Sequence, residues 1–214
     1  MQKAVSFMFP TPVGEFRIPE SEPTDQRLKQ LILAREQSDP GENYANAGGW
    51  HSKSDLLDWS DPAIGALRRW MMEAVHSMID ATLQQMKSAG MRTTVKGGVL
   101  QAKAWANVSR YGNYHRSHNH PSAAWSGVYY VDPGLDAPEH PLSGLLELPD
   151  PRPYANMINT PGDPFGQKAL IKPEAGLMVL FPSWFPHFVH PYYAEGTRIS
   201  VAFNVSVVED PPKA

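Results

Sequence analysis

The stretch "TRISVAFNVSVV", residues 197–208, decides the fold class, because its apolar and polar residues alternate with a period of two. One face of the extended chain is wholly apolar: Ile199, Val201, Phe203 and Val205. The other face is mostly polar: Arg198, Ser200, Ala202 and Asn204. Strict alternation over this length is typical of a β-strand with one buried face. The strand therefore packs against a core, while its second face carries a guanidinium beside a hydroxyl.

Five more β-rich runs precede this strand, separated by glycines and prolines: "LQAKAWANVS", "AAWSGVYYVD", "SGLLELP", "KALIKP" and "GLMVLFP". Short strands broken by turn residues predict an antiparallel sandwich or barrel. A proline-rich stretch without periodicity, residues 149–167, lies between two of these runs. A loop of this length is either a lid or a surface loop.

Two amphipathic helices are predicted upstream of the strands. Thr24 or Asp25 can cap a short one, and a longer one, with Asp61 as N-cap, closes near Gly90. We expect both helices to pack on one face of the β core.

The composition fits a single domain over residues 1–214, with 42% apolar and 19% charged residues. In this interpretation residues 1–97 form an N-terminal extension whose two helices pack on the barrel, and residues 98–208 form the β core. The N-terminal helices could also provide the surface of a homodimer.

Charge and cysteine content exclude several classes of function. The net charge of −3 gives no basic face, so nucleic acid is not an expected partner. The chain has no cysteine, which excludes disulfides, thiolate metal ligands and thiol nucleophiles. It also has no apolar run of about 18 residues, so we expect no membrane span and a cytoplasmic location.

A dense histidine cluster occurs in "RYGNYHRSHNHP", residues 110–121. His118 and His120 are two residues apart, so in an extended chain both imidazoles project to the same side and can chelate one ion. His115 has the opposite parity and should face away unless a turn intervenes before His118. We expect it beside the site or on the surface.

A third ligand can come from "PSWFPHFVHP", residues 182–191, which offers His187 and His190 after an apolar strand. Imidazole ligands suit iron, zinc, copper or nickel, so the histidines alone do not identify the metal. Downstream, Arg198 and Ser200 share a strand face and can bind a carboxylate.

Together these motifs resemble the 2-oxoglutarate/Fe(II)-dependent oxygenases, in particular their prolyl-hydroxylase-like branch. That family has a double-stranded β-helix, also called a jelly roll or cupin-like fold. Its first iron ligand follows a glycine by six residues, as His118 follows Gly112 here. The resemblance implies His118, His120 and His187 as metal and catalytic residues. His120 stands where the family usually has a carboxylate.

The same resemblance implies a cosubstrate site and a reaction. Arg198 and Ser200 map onto the pair that binds the far carboxylate of 2-oxoglutarate, and Tyr129, or its neighbour Tyr130, is expected to add a hydroxyl to that pocket. The implied cofactors are Fe(II), 2-oxoglutarate and O2. The implied reaction is hydroxylase-type oxidation of a small-molecule or peptide substrate, with release of succinate and CO2.

Longer motifs narrow the resemblance within the superfamily. The runs "HNHPSAAWSGVYYV", "FPSWFPHFVHP" and "RISVAFN", with "FPTP" and "GGWHS" near the start, look like a group of bacterial and phage proteins classed as 2-oxoglutarate/Fe(II) oxygenases. Two alternatives stay open. One is a cupin-like three-histidine dioxygenase, isomerase or hydrolase that does not use 2-oxoglutarate, and the other is a jelly-roll binding module.

Overall fold

A computed structural model describes residues 9–92, 98–157, 161–162 and 165–209, apart from the side chains of Asn156 and Glu209. Its two helices are α1, Glu22–Ser38, and α2, Pro62–Ser88. Two short 3₁₀ turns cover Leu56–Asp58 and Ala155–Met157.

The longer helix begins where the sequence predicts. The Asp61 carboxylate accepts a hydrogen bond from Ala63 N at 2.9 Å, which satisfies one of the free N–H groups of the first turn. The shorter helix begins at Glu22, earlier than predicted, because Pro23 is compatible with a first helical turn. Its Asp25 lies inside that turn and is not the cap.

The strands, in chain order, are β1 Gly14–Arg17, β2 Asn46–Ala47, β3 Trp50–His51, β4 Gly98–Ser109, β5 Tyr114–His118, β6 Trp125–Asp132, β7 Leu146–Pro149, β8 Lys168–Ile171, β9 Leu177–Pro182, β10 His187–Val189 and β11 Arg198–Glu209. They form a six-stranded sheet of order β1-β9-β6-β11-β4-β3 and a five-stranded sheet of order β2-β5-β10-β7-β8. All pairings between these strands are antiparallel. This mainly β fold with two buttressing helices is the predicted class.

The helices cover one face of the six-stranded sheet. The apolar face of β11 is fully buried there, together with the apolar stripes of both helices. The buried helical residues in this core include Leu28, Ile32, Leu67, Met71 and Val75. The strong preference of these side chains to leave water explains why the helices lie on this face.

The other face of β11 lines a cavity of about 540 Å³ between the two sheets. Arg198, Ser200, Ala202 and Asn204 all contribute to its wall, as the alternation predicts. The flanking strands extend this wall in register, since Ser200 is opposite Asn107 on β4 and opposite Tyr130 on β6.

A short strap, residues 44–54, closes one edge between the sheets. Its strand β2 pairs with β5 in one sheet, and its strand β3 pairs with β4 in the other. Gly48 and Gly49 make the crossing with φ of 71° and 73°, a left-handed conformation that favours glycine. A Cβ on Gly49 would lie 2.7 Å from the carbonyl oxygen of Val108, so the strap needs glycine there for space as well.

The proline-rich loop, residues 149–167, is only partly described, since residues 158–160 and 163–164 lie outside the described part. None of its described residues lines the central cavity, so the lid prediction gains no support. Within the described residues, neither helix has the combination of length and apolar character needed to cross a bilayer.

Candidate metal centre and its cavity

Three histidines converge at one end of the cavity. His118 at the end of β5 lies directly opposite His187 at the start of β10. His120 follows β5, and its backbone N–H donates to Ser183 O at 2.9 Å, which holds it beside the other two. One nitrogen from each ring lies within 4.8 Å of the others. The three residues predicted as ligands are therefore close enough to bind one ion.

Backbone contacts orient two of these rings. His118 Nδ1 is 2.7 Å from Arg116 O, and His187 Nδ1 is 3.1 Å from Phe185 O. Because a carbonyl oxygen only accepts hydrogen bonds, each Nδ1 carries the proton and each Nε2 keeps its lone pair. Metal-binding histidines commonly have this arrangement, in which the second nitrogen donates to the backbone.

Burial keeps the three rings uncharged. Desolvation, with a smaller contribution from the neighbouring imidazoles, lowers the pKa of His187 to about 3 and that of His120 to about 4. Burial also lowers the pKa of His118. At neutral pH all three are neutral, and the neutral imidazole is the form that binds a metal.

His115 also lines the cavity, contrary to the parity argument. The pairing of β10 with β5 advances by two residues on β10, from His187 to Val189, but by three on β5, from His118 to His115. This irregularity works like a β-bulge and turns His115 toward the same side as His118. Of the other predicted histidines, His190 has its Nε2 2.9 Å from Glu147 Oε2, within hydrogen-bonding distance, and is not among the cavity-lining residues.

Arg198 lies in the cavity wall with an exposed fraction of only 2%. Within the described chain it forms no ion pair, and its Nε has no hydrogen-bond partner. Two neighbouring atoms in the wall, Tyr130 Oη and Asn107 Oδ1, also have no hydrogen-bond partner in the described chain. Buried charges and polar groups are normally paired, because leaving them unpaired is costly. Arg198 Nε and Tyr130 Oη can both donate, and two unpaired donors at a buried positive charge indicate that an anionic ligand belongs here.

The assignment of Tyr129 to the cosubstrate pocket is wrong. Tyr129 is opposite Val201 of β11, on the face covered by the helices, and its hydroxyl donates to Asp25 Oδ1 at 2.6 Å. Tyr130, opposite Ser200, is the tyrosine that lines the cavity. Burial raises the pKa of Tyr130 to about 12, so this hydroxyl keeps its proton and can donate a hydrogen bond.

His51 is a cavity residue that the sequence interpretation missed. Its ring stacks on Trp105 at a centroid distance of 5.5 Å, and its Nδ1 is 2.7 Å from Ser52 O. The signal was present in "GGWHS", where two glycines precede a tryptophan and a histidine. Only the pairing of β3 with β4, however, brings this residue to the cavity.

The remainder of the cavity wall is uncharged. Arg198 is the only lysine, arginine or carboxylate side chain among the described residues of the lining. Trp105 lies in this wall beside the metal centre, since its ring centroid is 5.6 Å from that of His120. The wall thus combines flat rings with amides and hydroxyls, such as those of Asn204 and Ser126.

Residues 103–204 match the model of a family described as "Putative 2OG-Fe(II) oxygenase". No match was found among curated protein sequences. The matched segment contains every residue predicted for the metal and cosubstrate sites.

Solved structures with the same fold include a prolyl-4-hydroxylase from Pseudomonas putida, with 16% identity, a TM-score of 0.59 and 93% of each chain covered. A prolyl hydroxylase from Trichoplax adhaerens, in complex with a peptide fragment of the hypoxia inducible factor oxygen degradation domain, has 15% identity and a TM-score of 0.57, with 91% of this chain and 83% of that chain covered. HygX from Streptomyces hygroscopicus, with nickel and 2-oxoglutarate bound, has 12% identity and a TM-score of 0.56, with 92% and 83% covered. At these identities the structural matches establish the fold alone.

Proposed function

We propose how the site works in a chain that belongs, through residues 103–204, to the 2OG-Fe(II) oxygenase family. The protein is a 2-oxoglutarate- and Fe(II)-dependent oxygenase of the hydroxylase type. When bound, iron, 2-oxoglutarate and O2 supply the oxidising chemistry, in which 2-oxoglutarate is converted to succinate and CO2 while the substrate is oxidised.

We assign the iron to His118, His120 and His187. The assignment is supported by three neutral nitrogen donors within 4.8 Å of one another, two of them with Nε2 free because Nδ1 is engaged by the backbone. Three imidazoles bring no negative charge to the metal, unlike a set that includes a carboxylate. The anionic groups of 2-oxoglutarate would offset this difference.

We assign the far carboxylate of 2-oxoglutarate to Arg198, Ser200 and Tyr130. The observation that carries the proposal is the burial of the Arg198 guanidinium with no counter-ion in the described chain. A guanidinium can hold a carboxylate through two parallel hydrogen bonds, and the two hydroxyls can each add one. The protein's part is then to bind and orient the cosubstrate and to exclude water.

Apart from Arg198, the cavity wall has no lysine, arginine or carboxylate side chain among its described residues, which supports a substrate whose reacting segment is neutral. No acidic side chain that could pair with a cationic substrate is found among the described lining residues. We propose an uncharged part of a peptide or of a small molecule, held by stacking on Trp105 and by hydrogen bonds to Asn204 and His51. The domain organisation, the cytoplasmic location and the homodimer expected from the sequence stay predictions.

Anaerobic titration of the Fe(II)-loaded protein with 2-oxoglutarate tests the function directly. We expect a visible charge-transfer band on binding, and slow succinate formation when air is admitted without substrate. Iron binding with neither band nor succinate would instead favour a three-histidine enzyme that does not use 2-oxoglutarate. His120, in place of a carboxylate, also fits that alternative. If a ligand bound equally well after chelation of the metal, the binding module would be favoured.

The two adjacent tyrosines provide a matched pair of variants. Tyr130→Phe removes one donor to the far carboxylate from the cosubstrate pocket and should raise the Kd for 2-oxoglutarate by about 10-fold or more, as for loss of a hydrogen bond to a charged group. Tyr129→Phe should leave this Kd unchanged and lower the thermal stability instead, because it leaves the buried Asp25 carboxylate with one donor fewer. Isothermal titration calorimetry and thermal unfolding measure the two effects. The assignment fails if Tyr129→Phe, and not Tyr130→Phe, weakens binding.

A further inference from the structure

His115 lines the cavity but has no role in the assignments above. His115 projects from the five-stranded sheet toward Arg198, which lies in the six-stranded sheet across the cavity. Val189 of β10 lies opposite His115 of β5 and opposite Leu146 of β7, and all three residues line the cavity. Burial lowers the pKa of His115 to about 3, and the positive charge of Arg198 is the second largest cause of this lowering. This agrees with the positions of the two residues on facing walls of the cavity.

The spacing of the strands separates His115 from the metal centre. The row formed by His118 and His187 is two residues of β10 away from the row formed by His115 and Val189. At about 3.3 Å per residue, this corresponds to roughly 6.6 Å along the strand. His115 is accordingly not part of the cluster that can hold one ion. The separation is comparable with the length of a five-carbon dicarboxylate.

The hydrogen-bonding groups of His115 are unused. Neither ring nitrogen has a hydrogen-bond partner in the described part of the chain, and the half-buried residue lines the cavity. An imidazole carries at least one N–H in either protonation state, and a carboxylate has about four lone-pair sites for donors. A carboxylate held by Arg198 therefore still has acceptor sites for a donor from the opposite sheet.

We propose that His115 is a second recognition residue for the far carboxylate of 2-oxoglutarate, donating an N–H from the five-stranded sheet while Arg198 binds from the six-stranded sheet. This proposal rests on the proposed function. It makes the cosubstrate a bridge between the two sheets. It also assigns a consequence to the irregular pairing of β5 with β10: this pairing places His115 in the cavity, whereas a regular strand would turn it away.

The test compares two 2-oxoacids that share the metal-chelating end. 2-Oxoglutarate has the far carboxylate and pyruvate lacks it. Charge-transfer titrations under anaerobic conditions, on the full-length Fe(II)-loaded protein, give a Kd for each. We expect His115→Leu to raise the Kd for 2-oxoglutarate by about 10-fold or more, as for loss of a hydrogen bond to a charged group. The Kd for pyruvate and the iron content should not change.

Two further variants complete the design. His115→Gln, whose amide can still donate, should recover part of the affinity for 2-oxoglutarate. His76→Leu changes an exposed histidine on α2 and should have no effect on either acid. Thermal unfolding of each variant confirms that it is folded.

Several results would overturn the proposal. Equal weakening of both acids, or loss of iron, would mean that His115 acts on the metal centre or on folding. An unchanged Kd for 2-oxoglutarate would mean that it makes no contact. Wild-type protein that bound iron but neither acid would contradict the oxygenase function itself, and the role of His115 would fall with it.

Discussion

The His187→Ala variant is expected to lose iron binding and, with it, succinate formation. His187 is buried, neutral at neutral pH, and directly opposite His118, so its removal leaves two donors where three converge. Loss of a residue that only hydrogen-bonds a metal ligand typically lowers metal affinity by about 10- to 100-fold. Loss of the ligand His187 itself should lower the affinity for Fe(II) by more than this. Elemental analysis after desalting and competition with a chelator measure this loss.

Nearby substitutions separate ligand loss from damage to the fold. His190→Ala lies three residues further on, outside the cavity and paired with Glu147, and should keep wild-type iron content. His120→Ala should lose iron, whereas His120→Asp should keep it, because a carboxylate oxygen is also an iron ligand. Wild-type iron affinity in His187→Ala would show that the metal is held elsewhere.

The Arg198→Met variant is expected to lose affinity for 2-oxoglutarate while it keeps its iron. The guanidinium would provide the strongest contact to the far carboxylate, from a buried position where water does not compete. We expect the Kd to rise by about 10- to 100-fold, as for loss of a hydrogen bond to a charged group. Arg198→Lys should recover only part of this, because a point charge cannot form the two parallel bonds. Calorimetry with 2-oxoglutarate and elemental analysis for iron measure both properties.

The same variant has an unusual expected effect on stability. Because Arg198 is buried without a counter-ion in the described chain, it costs folding free energy when no ligand is bound. Without 2-oxoglutarate, Arg198→Met should therefore unfold at the same temperature as wild type or higher. A marked fall in Tm, or parallel loss of iron, would mean that Arg198 supports the fold and not the cosubstrate.

Patterns along the chain were sufficient to predict features that depend on a single strand or a single helix. The alternation in residues 197–208 correctly predicted which side chains of β11 enter the core and which line the cavity. Asp61 followed by Pro62 correctly predicted the start of α2. These features depend on periodicity and on the free N–H groups of a helix end, both of which can be read along the chain.

Patterns along the chain were insufficient to predict which side chains enter the cavity where this depends on the register between two strands. Tyr129 and Tyr130 are neighbours of equal chemistry, and only the register with Ser200 decides that Tyr130 enters the cavity. His115 enters it because the pairing of β5 with β10 is irregular, and strand parity cannot reveal such a shift. His51 enters it because the strap crosses between the sheets at Gly48 and Gly49.

The sequence by itself thus determined the fold class, the two helices, the three histidines that come together and the strand that carries Arg198. The tertiary structure decided which tyrosine accompanies Arg198, that His115 and His51 share the cavity, and that Arg198 has no counter-ion in the described chain. The physical reason is the same in each case. Strand periodicity and helix capping act between neighbours in the chain, whereas strand register and the burial of a charge depend on residues far apart in sequence.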